Sequence, residues 1–450
     1  MAAREAPSTT EPTEAPAPAE AGTLALHSNW FRRTFGAVID NANFRLLFFG
    51  NVLQFGSQQM QLVVRGWLVF HITGSYAALG TMALANAVPG LLLSPIGGVV
   101  ADRAPKKVVI QAAQTYNVIN AAVLAILAAG LFSLHLEFWH LFLSSFLQGG
   151  VNSIMMPSRQ SMISDLVPRE RLMNAIGINS SGQTFMQLVG PGIAGFMIAA
   201  LSPAAVFAVM AAMYALAVTF TMRLPTKPLY AFAQTAGGKA AASARAGSRK
   251  GAGGFKDLAD GMRYVAHDPV IRRLVIVNFM IVIVSMPYTQ LLPGFVKEVL
   301  HRGAFEQGML QSVQGAGAIA GSVVVASAAP RGRGKMMIFW GALLGVSIVA
   351  FAISTNYWIT LPIMVLIGAA QAGRMAIGQV LIQSYSAEEY RGRVQSVWFM
   401  QFSLVQFGTF FVSLLAVVFG PQIAIGGLAA LLVVAMAMIA VFLPSMRNLD

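Results

Sequence analysis

The sequence predicts an all-α membrane protein of twelve transmembrane helices, arranged as two six-helix bundles with pseudo-two-fold symmetry. Three observations lead there. Of 450 residues, 56% are hydrophobic and only 10% are charged, whereas a soluble domain carries about 25% charged residues. Apolar runs of roughly 20 residues recur along the chain, the length a helix needs to cross a bilayer. A basic Ala-, Gly- and Ser-rich stretch at 224–254 divides those runs into two sets of six.

Mean hydropathy is +0.66. In hydrocarbon every backbone amide must find its partner within its own segment, so each apolar run is read as a helix. The expected spans are 44–70, 77–100, 107–131, 139–164, 172–200, 204–222, 271–296, 306–328, 335–354, 357–385, 394–418 and 422–443. Residues 1–28 are rich in Ala, Pro, Thr and Glu and lack an apolar core, so they read as a disordered cytoplasmic tail rather than a signal peptide. The N-terminal bundle then covers 29–223, a flexible cytoplasmic linker 224–254, and the C-terminal bundle 271–443, with a cytoplasmic tail at 444–450. Between linker and second bundle, Phe255, Leu258, Met262 and Val265 recur at helical spacing. They predict an amphipathic helix over 255–270 lying along the inner membrane face.

Basic residues set the orientation. Arg103, Lys106 and Lys107, then Arg169 and Arg171, the stretch from Arg223 to Arg273, Arg331, Arg333 and Lys335, and Arg391 with Arg393 all fall on one side. The opposite loops hold Lys297 and Arg302. Positive residues collect in the cytoplasm, so both termini are expected inside a bacterial cytoplasmic (inner) membrane. The formal charge of +13 is therefore a topological signal, and nucleic acid is not an expected partner. With no cysteine in the chain, disulfides, iron–sulfur clusters and thiolate metal sites are excluded. No His-Glu-x-x-His, no paired intramembrane carboxylates and no phosphate-binding Gly-x-x-x-x-Gly-Lys-Ser/Thr loop occurs. An enzyme, a metal site and a bound cofactor are thus not expected, and energy is left to gradients.

The connection after span two reads GGVVADRAPKK from Gly97, and the corresponding one after span eight reads GSVVVASAAP from Gly321. Basic residues follow both, which indicates duplication with a site at the interface of the repeats. The first loop resembles the signature between helices two and three of the major facilitator superfamily, with Gly98, Asp102, Arg103, Lys106 and Lys107 at its positions and Pro105 where the family often has Gly. In that family the motif faces the start of helix eleven, here Arg391-Gly392-Arg393. An aspartate there can meet the positive N-terminal end of a helix. These residues, with Arg159 at the inner end of span four, are the expected cytoplasmic gate.

Further stretches are similar to the branch holding the enterobactin exporter and macrolide-efflux proteins: NFRLLFFGNVLQFGSQQMQ from Asn43, RGWLVFHITGS from Arg65, PSRQSMISDLVPRERLMNAIG from Pro157 and EEYRGRVQSV from Glu388. In span five, Gly190, Pro191 and Gly195 fill part of that family's antiporter motif, with Ala194 at one of its glycines and Met186 at another. Such a motif implies close helix packing that shuts one side of the pathway. One departure stands out. Many proton-coupled drug exporters carry an arginine three residues before the Gln-Gly of helix four, and here that position is Ser145.

Polar residues inside the spans mark the expected substrate path. Asn51, Gln54, Gln58, Gln61 and Arg65 follow at steps of three or four and share one helix face. Lipid penalises such a face, so it points into protein or a water-filled cavity. Gln148 and Asn152 stand in span four, Asn278, Ser285 and Thr289 in span seven, and Gln371 and Arg374 in span ten. Gln395, Gln401 and Gln406 on span eleven divide between cavity and packing. No Asp or Glu lies near the middle of a span. Arginine stays protonated and cannot relay protons, and a central charge costs at least ~2.5 kcal/mol on insertion scales. Arg65 and Arg374 therefore suit a negatively charged guest.

The resemblance and the stripes together imply a monomeric secondary active transporter that exports amphipathic or anionic small molecules, drug- or siderophore-like, by alternating access. Multidrug efflux and antiport follow from the same likeness. A lipid or lysophospholipid translocator of the same fold is the alternative: 24 methionines suit an acyl chain and the arginines a phosphate. A membrane sensor without flux is a third reading, and import is open as well.

Overall fold

A computed structural model of the protein describes residues 37–230, 254–327 and 332–449, with backbone alone for 94–99, 101–103, 132, 254–258, 396 and 399. The expected N-terminal tail, most of the linker and Arg331 lie outside these residues, as do the side chains of Asp102 and Arg103, while Gly98 is described by its backbone fold alone. The described residues form helices and connections without a strand.

In the first half, α1 runs Ala42–Thr73, α2 Tyr76–Arg103, α3 Lys106–Ala128, α4 Phe138–Leu166, α5 Arg169–Ala200 and α6 Pro203–Met222. A short amphipathic helix α7, Gly254–His267, precedes the second half. There α8 is Pro269–Ser285, α9 Tyr288–Glu298, α10 Ala304–Ser327, α11 Arg333–Ile353, α12 Tyr357–Tyr385, α13 Arg391–Phe399, α14 Gln401–Phe419 and α15 Pro421–Phe442, with a final turn α16 at Pro444–Arg447.

Nine segments among the described residues are long and apolar enough to cross a membrane, and α8 with α9 counts as one of them. Helices α1, α4 and α5 span 32, 29 and 32 residues and are long enough but less apolar. They carry polar residues that lipid would reject, such as Asn51, Gln148 and Asn179.

Local chemistry sets the helix ends. Asn41 caps α1 by accepting the Phe44 N–H at 3.0 Å, and Gly74 closes that helix in the left-handed conformation at φ 60°. Asp268 caps α8, accepting from the Val270 and Ile271 amides at 2.9 and 3.0 Å. The amphipathic helix therefore ends at His267 rather than at 270. Span seven, expected as one run over 271–296, is instead broken at Met286-Pro287. Pro287 has no N–H to continue the ladder. The Met286 carbonyl is taken by the Thr289 amide at 3.2 Å and the Thr289 hydroxyl at 2.8 Å. Span eleven also differs from expectation, α13 turning into α14 at Met400.

Helix pairing repeats between the halves. Helix α2 lies against α4 as α10 lies against α12, and α3 against α6 as α11 against α15. The two most extensive cross-half seams are α5 with α10 and α2 with α14, and α9 also meets α1 and α2. On the first seam a Cβ at Gly195 would sit 2.6 Å from the Ala304 carbonyl oxygen and 3.0 Å from the Gly308 Cα, so only glycine permits that approach. Gly190, by contrast, rests on Gln59 of α1. Within the halves, Gly149 of α4 abuts the Asn86 backbone of α2, and Gly368 of α12 abuts that of Gln314 in α10.

The amphipathic helix docks on protein. Tyr264 stacks on Tyr390 at 4.3 Å, Val265 is buried while Met262 is exposed, and the Gly261 backbone meets that of Arg393 at the start of α13. Residues 444–450, expected as a cytoplasmic tail, include α16. The Leu449 carbonyl accepts the Gly334 amide at 2.9 Å, which ties this end to α11.

Candidate functional site

The polar face of α1 divides in the folded protein. Gln58, Gln61 and Arg65 line a cavity of about 390 Å³, while Gln54 is fully buried and Asn51 turns to α4. Helix α4 contributes Ser145, Gln148, Asn152 and Met156 to the cavity, and α2 contributes Leu79, Met82, Ala83 and Asn86. From the second half come Gln290 of α9 and Gln406 of α14. The cavity thus takes lining from both halves.

Among the described residues, Arg65 is the only charged one that lines it. Its Nη1 donates to Ser145 Oγ at 2.7 Å and its Nη2 to Ser144 Oγ at 3.0 Å. Two neutral hydroxyls orient the guanidinium without cancelling its charge. Below it, Gln148 Nε2 donates to Asn117 Oδ1 at 2.9 Å and to Asn152 Oδ1 at 3.2 Å. Among the described residues, no aspartate, glutamate or histidine lines the cavity. The arrangement can hold a molecule by one fixed positive charge, several amides and an apolar wall. It offers no proton carrier of its own.

Four of the remaining polar candidates, Asn51, Arg159, Asn278 and Arg374, gather in two matching clusters. In the first half, Arg159 Nε donates to Asn51 Oδ1 at 2.7 Å, and Asn51 Nδ2 donates to Asn179 Oδ1 at 2.7 Å. In the second, Arg374 Nη1 donates to Asn278 Oδ1 at 2.5 Å, and Asn278 Nδ2 donates to Gln401 Oε1 at 3.2 Å. Each cluster links three helices, α4–α1–α5 and α12–α8–α14. Arg159 and Arg374 are both buried, and asparagine oxygens take the place of carboxylates. Gln371 accepts from Gln314 at 3.0 Å and donates to the Met286 sulfur at 3.3 Å. Asn278, Thr289, Gln371 and Arg374 are not among the cavity's lining residues.

The lysines of the α2–α3 connection act within the first half. Lys106 pairs with Asp165 at 2.6 Å, and Lys107 donates to the Met222 and Leu224 carbonyls at 2.9 and 2.7 Å. Both contacts lie at helix C-termini, where a cation is favoured. Arg393 lies over the Tyr390 ring at 5.5 Å, and Arg391 is exposed at the start of α13.

Sequence reading missed Gln290 and Asn86 as lining residues. Gln290 turns inward because span seven breaks at Pro287. The paired clusters had a legible signal that went unread: Arg45, Leu47 and Asn51 recur in the same spacing as Arg272, Leu274 and Asn278, behind the matching caps Asn41 and Asp268.

A family model described as transmembrane secretion effector matches residues 34–450. The chain belongs to this major facilitator family. It is accordingly a multi-pass membrane transporter and not an enzyme. A staphyloferrin A transporter of Staphylococcus aureus (strain NCTC 8325 / PS 47) is 22% identical over 79% of this chain and 84% of that protein. The uncharacterized MFS-type transporter YfiS of Bacillus subtilis (strain 168) is 23% identical over 40% of this chain, a match spanning 42% of YfiS. Among solved structures, a POT family transporter in complex with 5-aminolevulinic acid superposes with a TM-score of 0.68 at 15% identity, over 90% of this chain and 97% of that one. That likeness shows the fold, all-helical and of the major facilitator type.

Proposed function

We propose that this transporter exports anionic or amphipathic small molecules, siderophore- or drug-like, across a bacterial cytoplasmic membrane by alternating access. The observation that carries the reading is Arg65, a lone cation set by two serines in a 390 Å³ cavity whose other polar lining is amides and a hydroxyl. That volume lies within the ~300–1,000 Å³ range of small-molecule sites. The family and the staphyloferrin A transporter agree with a small-molecule cargo.

Alternating access is supported by the seams. With both termini cytoplasmic, the tight α5–α10 contact at Gly195 and Gly308 lies toward the outside. Nearer the other end of α5, a Cβ at Gly177 would meet nothing within 4 Å. A molecule closed outside and open inside fits both facts. The twelve-span, two-bundle layout with its divide at 224–254, the monomeric state and the gate around Asp102 belong to the same proposal.

The deciding experiment is flux in proteoliposomes, with labelled anionic and neutral amphipaths, with and without an imposed pH gradient. Saturable flux of the anionic compounds, indifferent to the pH gradient and lost in Arg65→Ala, is expected. Flux that survives Arg65→Ala removes the site assignment. Proton dependence removes uncoupled or differently coupled export.

A second reading, lipid or lysophospholipid translocation, draws on one feature. A cavity of about 330 Å³ between α3 and α4 has an apolar wall that includes Leu124, Leu143 and Leu147 and is also lined by Ser144, the hydroxyl that accepts from Arg65. An acyl chain there would bring its headgroup toward the guanidinium. Scrambling of labelled lysophospholipid in the same vesicles separates this from soluble-cargo export.

A further inference from the structure

Below the central cavity, Arg159 lines a second, much smaller one. We propose that this pocket is a binding site for a small monovalent anion of chloride size, separate from the cargo site. Four observations lead to it.

The guanidinium is buried, 3% exposed. Its Nε and Nη2 donate to the side chain and backbone oxygens of Asn51 at 2.7 and 3.2 Å, and the Phe55 ring covers it at 4.6 Å. Its Nη1 is also buried and has no hydrogen-bond partner. A buried charge is ordinarily paired or fully hydrogen-bonded, and this one is neither.

Among the described residues, no carboxylate lines the pocket. Its other polar lining consists of amides, Gln160, Asn179 and Gln183 beside Asn51. Asn179 accepts from Asn51 through Oδ1, so its amino group is the end left to donate. A guanidinium N–H and amide donors around one space select a negative guest.

Size decides which one. The pocket holds about 50 Å³, far below the ~300 Å³ at which organic-ligand sites begin, yet above the ~10–15 Å³ that a single water needs. A polyatomic cargo belongs in the 390 Å³ cavity, and a halide fits here. Met156 lines both spaces, so its thioether side chain is the partition between them.

The anion would supply the counter-charge that the protein omits, and would hold α1, α4 and α5 together around Arg159. Arg65 lines the larger cavity and not this pocket, and each of its terminal nitrogens already donates one N–H to a serine hydroxyl.

The test is thermal unfolding of the purified full-length protein at constant ionic strength, with chloride replacing gluconate stepwise. Gluconate is too large for the pocket. A ligand that binds only the native state raises its stability in a saturable way. A saturable upward shift of a few degrees is expected for wild type, with bromide acting like chloride. Arg159→Gln removes the dependence. Asn179→Asp removes it too while keeping the high midpoint without chloride, since the new carboxylate takes the anion's role; this variant keeps the idea testable if Arg159→Gln does not fold. Arg65→Gln keeps the chloride shift. A midpoint indifferent to chloride, or one rising without saturation, overturns the proposal and leaves only water beside Nη1. A shift that persists in Asn179→Asp, or is lost only in Arg65→Gln, places the ion elsewhere and also overturns it.

Discussion

Arg65 of α1 donates to Ser145 of α4 at 2.7 Å, joining residues 80 apart in sequence. Ser145 is the position at which the resemblance to proton-coupled drug exporters leads one to expect an arginine. The cation is therefore kept at this point of the cavity but is delivered from the facing helix. Ser144 takes the second nitrogen, and the two hydroxyls hold the guanidinium in one orientation.

Removal of that charge should be costly. Truncating one partner of a buried charged contact costs about 2–5 kcal/mol, so Arg65→Ala should lower the apparent affinity for an anionic cargo by at least about thirtyfold. Arg65→Lys should recover only part of it, because a lysine cannot reproduce the planar fork that spans two serines. Equilibrium binding to detergent-solubilised protein measures both.

Relocating the arginine should be tolerated better than losing it. The double substitution Arg65→Ser with Ser145→Arg should transport better than the product of the two single effects. Contacting residues commonly show couplings of about 0.5–3 kcal/mol. A cycle of initial rates for the three variants, compared with wild type, gives the coupling directly, and a value of zero would break the link between the two positions.

The matched asparagines should carry stability in both halves. Asn51→Leu strands Arg159 and Asn179, and Asn278→Leu strands Arg374 and Gln401. Leaving a buried polar partner unsatisfied costs about 1–3 kcal/mol. Both variants should lower the unfolding midpoint. Their effects should add, since the two clusters lie in different halves and share no residue, and sites without shared partners are independent.

The α5–α10 seam can be locked. A Cβ at Gly192 of α5 would sit 3.7 Å from the Ser312 Cβ of α10, within the roughly 3.5–4.5 Å at which the Cβ atoms of a disulfide lie. The chain has no cysteine of its own, so the pair Gly192→Cys with Ser312→Cys reports without background. It should cross-link under mild oxidation and stop flux, and a reductant should restore it. Full flux in the cross-linked protein would mean that this seam does not open during transport.

Membrane helices and their amphipathic faces were legible in the sequence because they depend on local quantities. Hydropathy is summed over about 20 residues, and the stripe from Asn51 to Arg65 follows from the 3.6-residue period alone. Family motifs added the fold, and the absence of carboxylates from the spans announced a cavity without them. The breaks at Pro287 and Met400 were missed, since an apolar run looks the same whether or not its ladder is continuous.

By itself, then, the sequence determined that Arg65 stands on the polar face of a spanning helix and that no acid accompanies it there. Only the tertiary structure decided what that face does along its length. Gln58, Gln61 and Arg65 open on the cavity, whereas Asn51 closes on Arg159. Residues on one helix face share a direction, but their fate depends on what stands opposite. The serines, Gln290 and Arg159 that decide it come from helices remote in sequence, brought into place only when α1, α4 and α9 pack.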